Sequence, residues 1–318
     1  MRTPPPGSAP FDVVGLGEIS IDDVLLVEGR PAWGGKARVV RRERMGGGQV
    51  ATAMVALARL GLRTAILGVV GDDEEGQLAL DGLRAEGVDI HGVQVVPGRT
   101  RRATVVIDGE AGRTVLFEED RRTVVGQAQL RPEDVVAGRV LHVDGSARLA
   151  SLAAAQLARE RGVFVSCDLD VPHPLDDTLL PLVDLCVVPW SYAAARGTGG
   201  QRGGGEPAAP GWREALHVPT VAPGGVVVVT RGEHGATVCP TERSGWIDMP
   251  AFAVEPRVDT TACGDTFRAG FIAGLLDGRD LFACARFACA AAALKVRDLG
   301  RRGCPTRAAV EALLRAAP

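Results

Sequence analysis

Tyrosine occurs once in 318 residues and aromatic residues make up only 4% of them. An interior therefore has to be packed from Ala, Val and Leu, and a flat base has few rings on which to stack. No apolar run of about 18 residues is present, which excludes a membrane-spanning helix. The first ten residues, MRTPPPGSAP, lack the apolar stretch of a signal peptide, so a cytoplasmic protein is expected. No long basic block exists either: the net charge is -3 and the arginines fall in scattered pairs such as Arg41-Arg42, Arg101-Arg102, Arg121-Arg122 and Arg301-Arg302. A nucleic-acid surface is not indicated. The seven cysteines (Cys167, Cys186, Cys239, Cys263, Cys284, Cys289, Cys304) form an odd set without C-x-x-C spacing and read as reduced thiols.

What is present is a globular composition, 46% hydrophobic and 24% charged. A Pro-rich stretch over residues 1–10 predicts a loose tail, and Phe11-Asp-Val-Val-Gly-Leu-Gly17 predicts a first buried strand ending in a glycine turn. Two polar β-prone pieces within 24–45, joined by a Gly/Pro turn, predict a hairpin that projects from the body. Gly46-Gly-Gly48 leads into a helix over 50–60, where Val50, Met54, Leu57 and Ala58 recur at helical spacing. A strand over 65–70 and a helix over 73–86 follow, and the β pieces within 93–118 are expected to complete a lid with the first hairpin. From residue 139 strands and helices alternate, which argues an α/β fold with a doubly wound, mainly parallel sheet flanked by helices. Residues 196–211 are dense in glycine and predict a flexible insertion. The last third is helical and Ala-rich.

The strongest chemical signal is Asp259-Thr-Thr-Ala-Cys-Gly-Asp265-Thr-Phe267, a turn of small residues opening an apolar helix. Phosphoryl transfer needs a base for the attacking hydroxyl and fixed dipoles facing the charge on the moving phosphoryl group. Asp265 can be that base, and the amides of Ala262, Cys263 and Gly264 at the helix start can form an anion hole. Taken alone, the turn fits a simple helix cap as well.

The turn resembles the C-terminal signature of the ribokinase/PfkB carbohydrate kinases, D-T-x-G-A-G-D-x-F. Gly47-Gly-Gln-Val-Ala-Thr52 resembles that family's N-terminal G-G-x-x-x-N/T element, and Gly17-Glu-Ile-Ser20-Ile-Asp22 resembles its G-x-x-N/S-x-D segment. Thr230-Arg-Gly232-Glu-His-Gly235 is similar to the nucleotide-side T-x-G-x-x-G. The resemblance implies a single ribokinase-like domain over 11–318 with a small β lid, moving the γ-phosphate of ATP to a sugar or polyol hydroxyl, with Mg2+ and possible dependence on K+. It implies substrate contacts from Asp22, Ser20, Gly47, Gly48, Thr52 and Asp144, and ATP contacts from Thr230, Gly232, Gly235, Gly303 and Thr306. It also implies a magnesium ligand at Asp168, a monovalent cation beside Asp259 and Thr261, and a homodimer formed through the lid.

Two departures sharpen these expectations. The family's N-x-x-E element is absent, since Pro189-Trp-Ser-Tyr-Ala193 stands there, which points to the ketohexokinase-like branch. Ala262 replaces a glycine, so its φ is expected to be negative, because a Cβ at positive φ costs about 1 kcal/mol. Cys263 at a helix start would have a lowered thiol pKa. A nucleoside kinase of the same fold and a catalytically silent sugar-binding regulator are the alternatives. Gly15-Leu-Gly17 alone is a weak dinucleotide-binding signal, because Ser20 stands at its third glycine.

Overall fold

The computed structural model describes residues 2–7, 9–108, 112–197, 212–213, 216–241 and 245–317. Its strands and helices run β1 (Phe11–Leu16), β2 (Ser20–Val27), β3 (Val39–Gly47), α1 (Gln49–Arg59), β4 (Thr64–Gly71), α2 (Glu74–Ala85), β5 (Val93–Val96), β6 (Arg101–Ile107) and β7 (Arg113–Glu118). They continue with α3 (Pro132–Val135), β8 (Gly138–Asp144), α4 (Arg148–Glu160), β9 (Phe164–Asp168), α5 (Asp176–Leu179), β10 (Leu185–Pro189), α6 (Trp190–Gly197) and β11 (Val226–Thr230). The chain ends in β12 (Ala236–Pro240), β13 (Ile247–Met249), α7 (Cys263–Leu276), α8 (Leu281–Lys295) and α9 (Arg307–Ala316).

Nine strands make one sheet in the order β13-β12-β11-β10-β9-β8-β1-β4-β5, parallel except for β12 and β13. Its central strands are buried on both faces, so successive residues serve different cores. In β11, Val226 and Val228 belong to the core that holds Phe271 and Phe287 of α7 and α8, whereas Val227 and Val229 belong to the core that holds the alanines of α4. The shortage of aromatics is met by close helix approach. A Cβ at Gly270 of α7 would lie 2.9 Å from the Ala288 Cα of α8, and at Gly274 it would lie 3.0 Å from the Cys284 Sγ.

Four further strands form a small sheet, β3-β2-β6-β7, with the apolar side chains of Val39, Val40, Val115, Leu116 and Phe117 exposed. Two expectations change here. The strand Val93–Val96 pairs with β4 at the edge of the large sheet, so only β6 and β7 of the 93–118 segment join the small one. The N-terminal tail is tied down: the Arg2 guanidinium lies 3.0 Å from the Asp184 carboxylate and donates to the Gly162 carbonyl at 2.8 Å. Of the glycine-rich insertion, residues 198–211 lie outside the described residues.

Candidate active site

The carboxyl ends of β1 and β8–β11 open into a wide cleft roofed by the small sheet, at the place where ligands of doubly wound sheets bind. Arg113 of β7 fastens the roof to the far rim by donating to the Thr260 carbonyl at 2.6 Å. The turn at 259–265 lies on the cleft wall.

Ala262 is the N-cap of α7 and sits in the left-handed region at φ 65, against the expectation of negative φ. The reason is visible in the bonds it makes: its carbonyl accepts from the Thr266 amide at 3.0 Å and from the Thr266 hydroxyl at 2.8 Å, which turns the chain sharply into the helix. The strain is held by these bonds and by burial of the methyl group. The Cys263 amide is not free, since it donates to the Thr260 carbonyl at 3.3 Å. Of the three amides expected to face an anion, those of Ala262 and Gly264 remain, with the Asp265 amide next on the helix. The Cys263 thiol is pushed up to about 11 by burial, so the expected lowering by the helix start does not occur.

Asp265 occupies the first turn of α7 and lines the cleft. Burial pushes its carboxyl up to about 7, against the pull of the Arg268 guanidinium 3.6 Å away. Arg268 was missed in the sequence, although its place three residues after Asp265 on an otherwise apolar helix is a usable signal. Burial opposes its charge, but Asp168, Asp170 and Asp265 outweigh that and raise it above the ordinary guanidinium range. Asp168 is itself fully buried and ion-paired to Arg268, off the cleft wall, so it has no face to offer a metal. Asp170, two residues on and half exposed, is the carboxylate that faces the cleft there.

On the other side of the cleft, Asp22 of β2 accepts from the Ser20 hydroxyl at 2.9 Å and is pushed up to about 6 by burial. Gly47 lies against this carboxylate, where a Cβ would overlap it. Gly48, at φ 93, starts α1 with its Cα against the Glu18 carbonyl, which no side chain could tolerate. Gly48, Thr52 and Asp22 line the cleft, whereas Ser20 and Gly47 support Asp22 from behind. Asp144 is a correction: fully buried beneath Gly17, it accepts from the amides of Glu18 at 2.8 Å and Ser146 at 2.9 Å, and so shapes the loop without facing a substrate. The loop carries an acid that was overlooked, Glu18, pushed up to about 8 by burial despite Arg101 3.0 Å away. Arg101, Arg113 and Arg301 line the same region.

Toward β11 the wall sets small residues beside charged ones: Thr230, Gly232 and Gly235 with Arg231, Glu233 and His234 between them, then Cys289, Ala292, Ala293 and Val296 of α8 and the turn after it. Gly303 and Thr306 are not on it. Gly303 packs against the Lys295 carbonyl, and Thr306 caps α9 by accepting from the Ala309 amide at 3.4 Å. Asp259 is fully buried beneath the turn, whereas Thr261 lines the cleft. Among the described residues no cluster of three His, Cys, Asp or Glu side chains could hold a metal. None of the helices among those residues is long and apolar enough to cross a membrane, and all seven cysteines are free.

The profile of the pfkB family carbohydrate kinases matches residues 11–307, and the chain belongs to that family of kinases. An ATP-dependent ribose-1-phosphate kinase of Halopiger xanaduensis is 31% identical over 95% of this chain and 97% of its own. Ribokinase of Bacillus subtilis is 28% identical over 94% and 98%, and a nucleoside kinase of Methanothermobacter thermautotrophicus 25% identical over 91% and 90%. The fold is that of Arabidopsis thaliana ribokinase complexed with ribose and ATP, with a TM-score of 0.75 at 22% identity over 96% and 99% of the two chains. These relatives do not support the ketohexokinase-like placement.

Proposed function

We propose that the protein transfers the γ-phosphate of ATP to a hydroxyl of a ribose-like sugar, with Asp265 as the base. The observation that carries this reading is a carboxyl in the first turn of a helix, facing a cleft at the carboxyl ends of the sheet, with burial pushing it up toward neutral pH. Such a group can take a proton from an alcohol as the phosphoryl group moves. The amides of Ala262, Gly264 and Asp265 face the charge on the transferred group. Asp22 accepts from the sugar hydroxyls, and Thr230, Gly232 and Gly235 border the nucleotide. Magnesium carried in with ATP would neutralise phosphate charge, and Asp170, which lines the cleft, is the carboxylate that would hold it. A closing roof would exclude water from the reaction, and the exposed apolar side chains of Val39, Val40 and Leu116 on the small sheet fit a homodimer.

Arg101 and Arg301, whose charges act on Asp22, favour an acceptor with an anionic substituent, as in the name of the Halopiger relative. A nucleoside is the second acceptor class, supported by the methanogen relative. The test is ADP release with ATP and magnesium over a panel of ribose, ribose-1-phosphate and nucleosides, with Asp265→Asn as the control. Turnover of one class by the native enzyme, lost in the variant, is expected. Equal turnover by both proteins sinks the assignment of the base, and binding without turnover leaves a silent sugar-binding protein.

A further inference from the structure

The place that the family resemblance assigns to a monovalent cation is filled by a side chain of the chain itself. Lys295, the last residue of α8, is fully buried. Its Nζ donates to the Asp259 carbonyl at 2.8 Å and to the Asp298 carbonyl at 3.2 Å, and lies 3.4 Å from Asp259 Oδ2. The three N–H bonds of an ammonium thus have three oxygens to face. The Asp259 carboxylate is completed by main-chain amides, from Thr261 to Oδ1 and from Gly300 to Oδ2, each at 2.7 Å.

A potassium ion would want the same cage, because it is bound by carbonyl oxygens that replace its hydration shell. Both cannot occupy it. Like charges a few ångströms apart in a buried site repel strongly, with little water to screen them. The residues present therefore do not fit an added cation. The ammonium also sits where a cation is useful. It joins the end of α8 and the loop at 298–300 to Asp259, and the chain runs from Asp259 through Thr261 straight into the turn that carries Asp265. The amides of Val258 and Asp259 bind the Val296 carbonyl at 2.7 and 3.1 Å, fixing the same junction from the main chain.

We propose that Lys295 is a tethered substitute for the monovalent cation, holding the 259–265 turn in its anion-binding form and making the kinase independent of potassium. A diffusible ion stabilises the turn only in proportion to its concentration relative to its dissociation constant. A side chain delivers its charge at every salt composition. The activity arm of this inference rests on the kinase reading; the stability arm does not.

The experiment measures the thermal unfolding midpoint and, where an acceptor is found, kcat, in potassium, sodium and choline chloride at equal ionic strength. For the native enzyme both quantities are expected to be the same in the three salts. For Lys295→Ala, kcat is expected to fall about 10- to 100-fold, the range for losing support beneath a site residue, with a lowered midpoint. Potassium or ammonium chloride then raises midpoint and kcat together, and choline chloride does not. A purely structural lysine would give a destabilised variant deaf to the choice of cation, and that result overturns the proposal. So does a native enzyme whose midpoint or kcat rises specifically with potassium, an arm that needs no substitution and decides the matter even if Lys295→Ala fails to fold. Should no acceptor be turned over, the kinase reading fails while the midpoints still decide the role of Lys295.

Discussion

The two walls of the cleft are built by different physics. The wall under the small sheet is crowded with ionisable groups: Glu18, Asp22, Arg101, Arg113 and Arg301 all line it, and burial pushes Glu18 up to about 8 and Asp22 up to about 6. The wall beside β11 and α8 is made mostly of Thr230, glycines and alanines, and among its charged residues Arg257 and Glu233 pair with each other at 3.5 Å. A small polar molecule with several hydroxyls must be recognised by directed bonds, whereas a large ligand can be held by shape and main-chain groups. Asp265 stands at the seam, where the charged wall meets the helix start. Substitutions that distinguish seam, charged wall and turn are the way to break that picture.

The largest effect is expected at the seam. Asp265→Asn removes the proton acceptor while keeping the shape, and kcat is expected to fall by about 10^2- to 10^4-fold, with KM for both substrates little changed in initial-rate assays. A large rise in either KM would mean that Asp265 binds a substrate and that the two walls are not separable from the chemistry.

Arg268 comes next, because it lies behind the seam with Asp168 buried against it. Arg268→Gln leaves that carboxylate without its partner and is expected to cost about 3–5 kcal/mol in denaturant unfolding. The pH profile gives a readout that lost stability alone would not. The native kcat/KM should rise with pH through about 7 as Asp265 loses its proton. The guanidinium favours the charged carboxylate, so its removal raises that pKa and moves the ascending limb to higher pH. A limb that stays in place, or moves to lower pH, would show that Arg268 does not tune the base.

On the charged wall, Asp22→Asn keeps the size but halves the acceptor capacity. KM for the phosphoryl acceptor is expected to rise about 10-fold, the scale of one or two hydrogen bonds to a charged group, with KM for ATP unchanged. Equal changes in both constants would erase the distinction between the walls.

How far these features could be read from the chain depends on whether a local pattern carries them. The turn at 259–265, the glycines at 46–48 and Asp22 stood out through their likeness to family motifs, in which small residues recur at set spacings, and not through any one of them alone. The parallel sheet is equally plain in runs such as Val226–Thr230, buried on both faces. Partners distant in sequence were not legible. Asp168 looked like a metal ligand until Arg268, a hundred residues later, was found against it, and Lys295 read as an ordinary helix end. Strand membership failed for the same reason: Val93–Val96 has the composition of either sheet, and only its pairing with β4 assigns it. Gly303 and Thr306, expected at ATP from the resemblance alone, serve packing and capping here.

The smallest effect, and the one that tests the turn most directly, concerns Ala262. A residue with a Cβ at φ 65 carries roughly 1 kcal/mol of backbone strain. Glycine would relieve it, but glycine also has more freedom to lose on folding, which returns about 0.4–1 kcal/mol. The two terms nearly cancel, and Ala262→Gly is expected to change unfolding stability by less than about 0.5 kcal/mol. Valine at the same place cannot share that balance, since a β-branched side chain at positive φ is a genuine outlier. Ala262→Val should destabilise by more than about 1 kcal/mol and lower kcat by displacing the Gly264 amide. If valine were tolerated as well as glycine, the left-handed cap would not be shaping the anion-binding turn, and the catalytic seam would owe its form to the Asp259 junction beneath it alone.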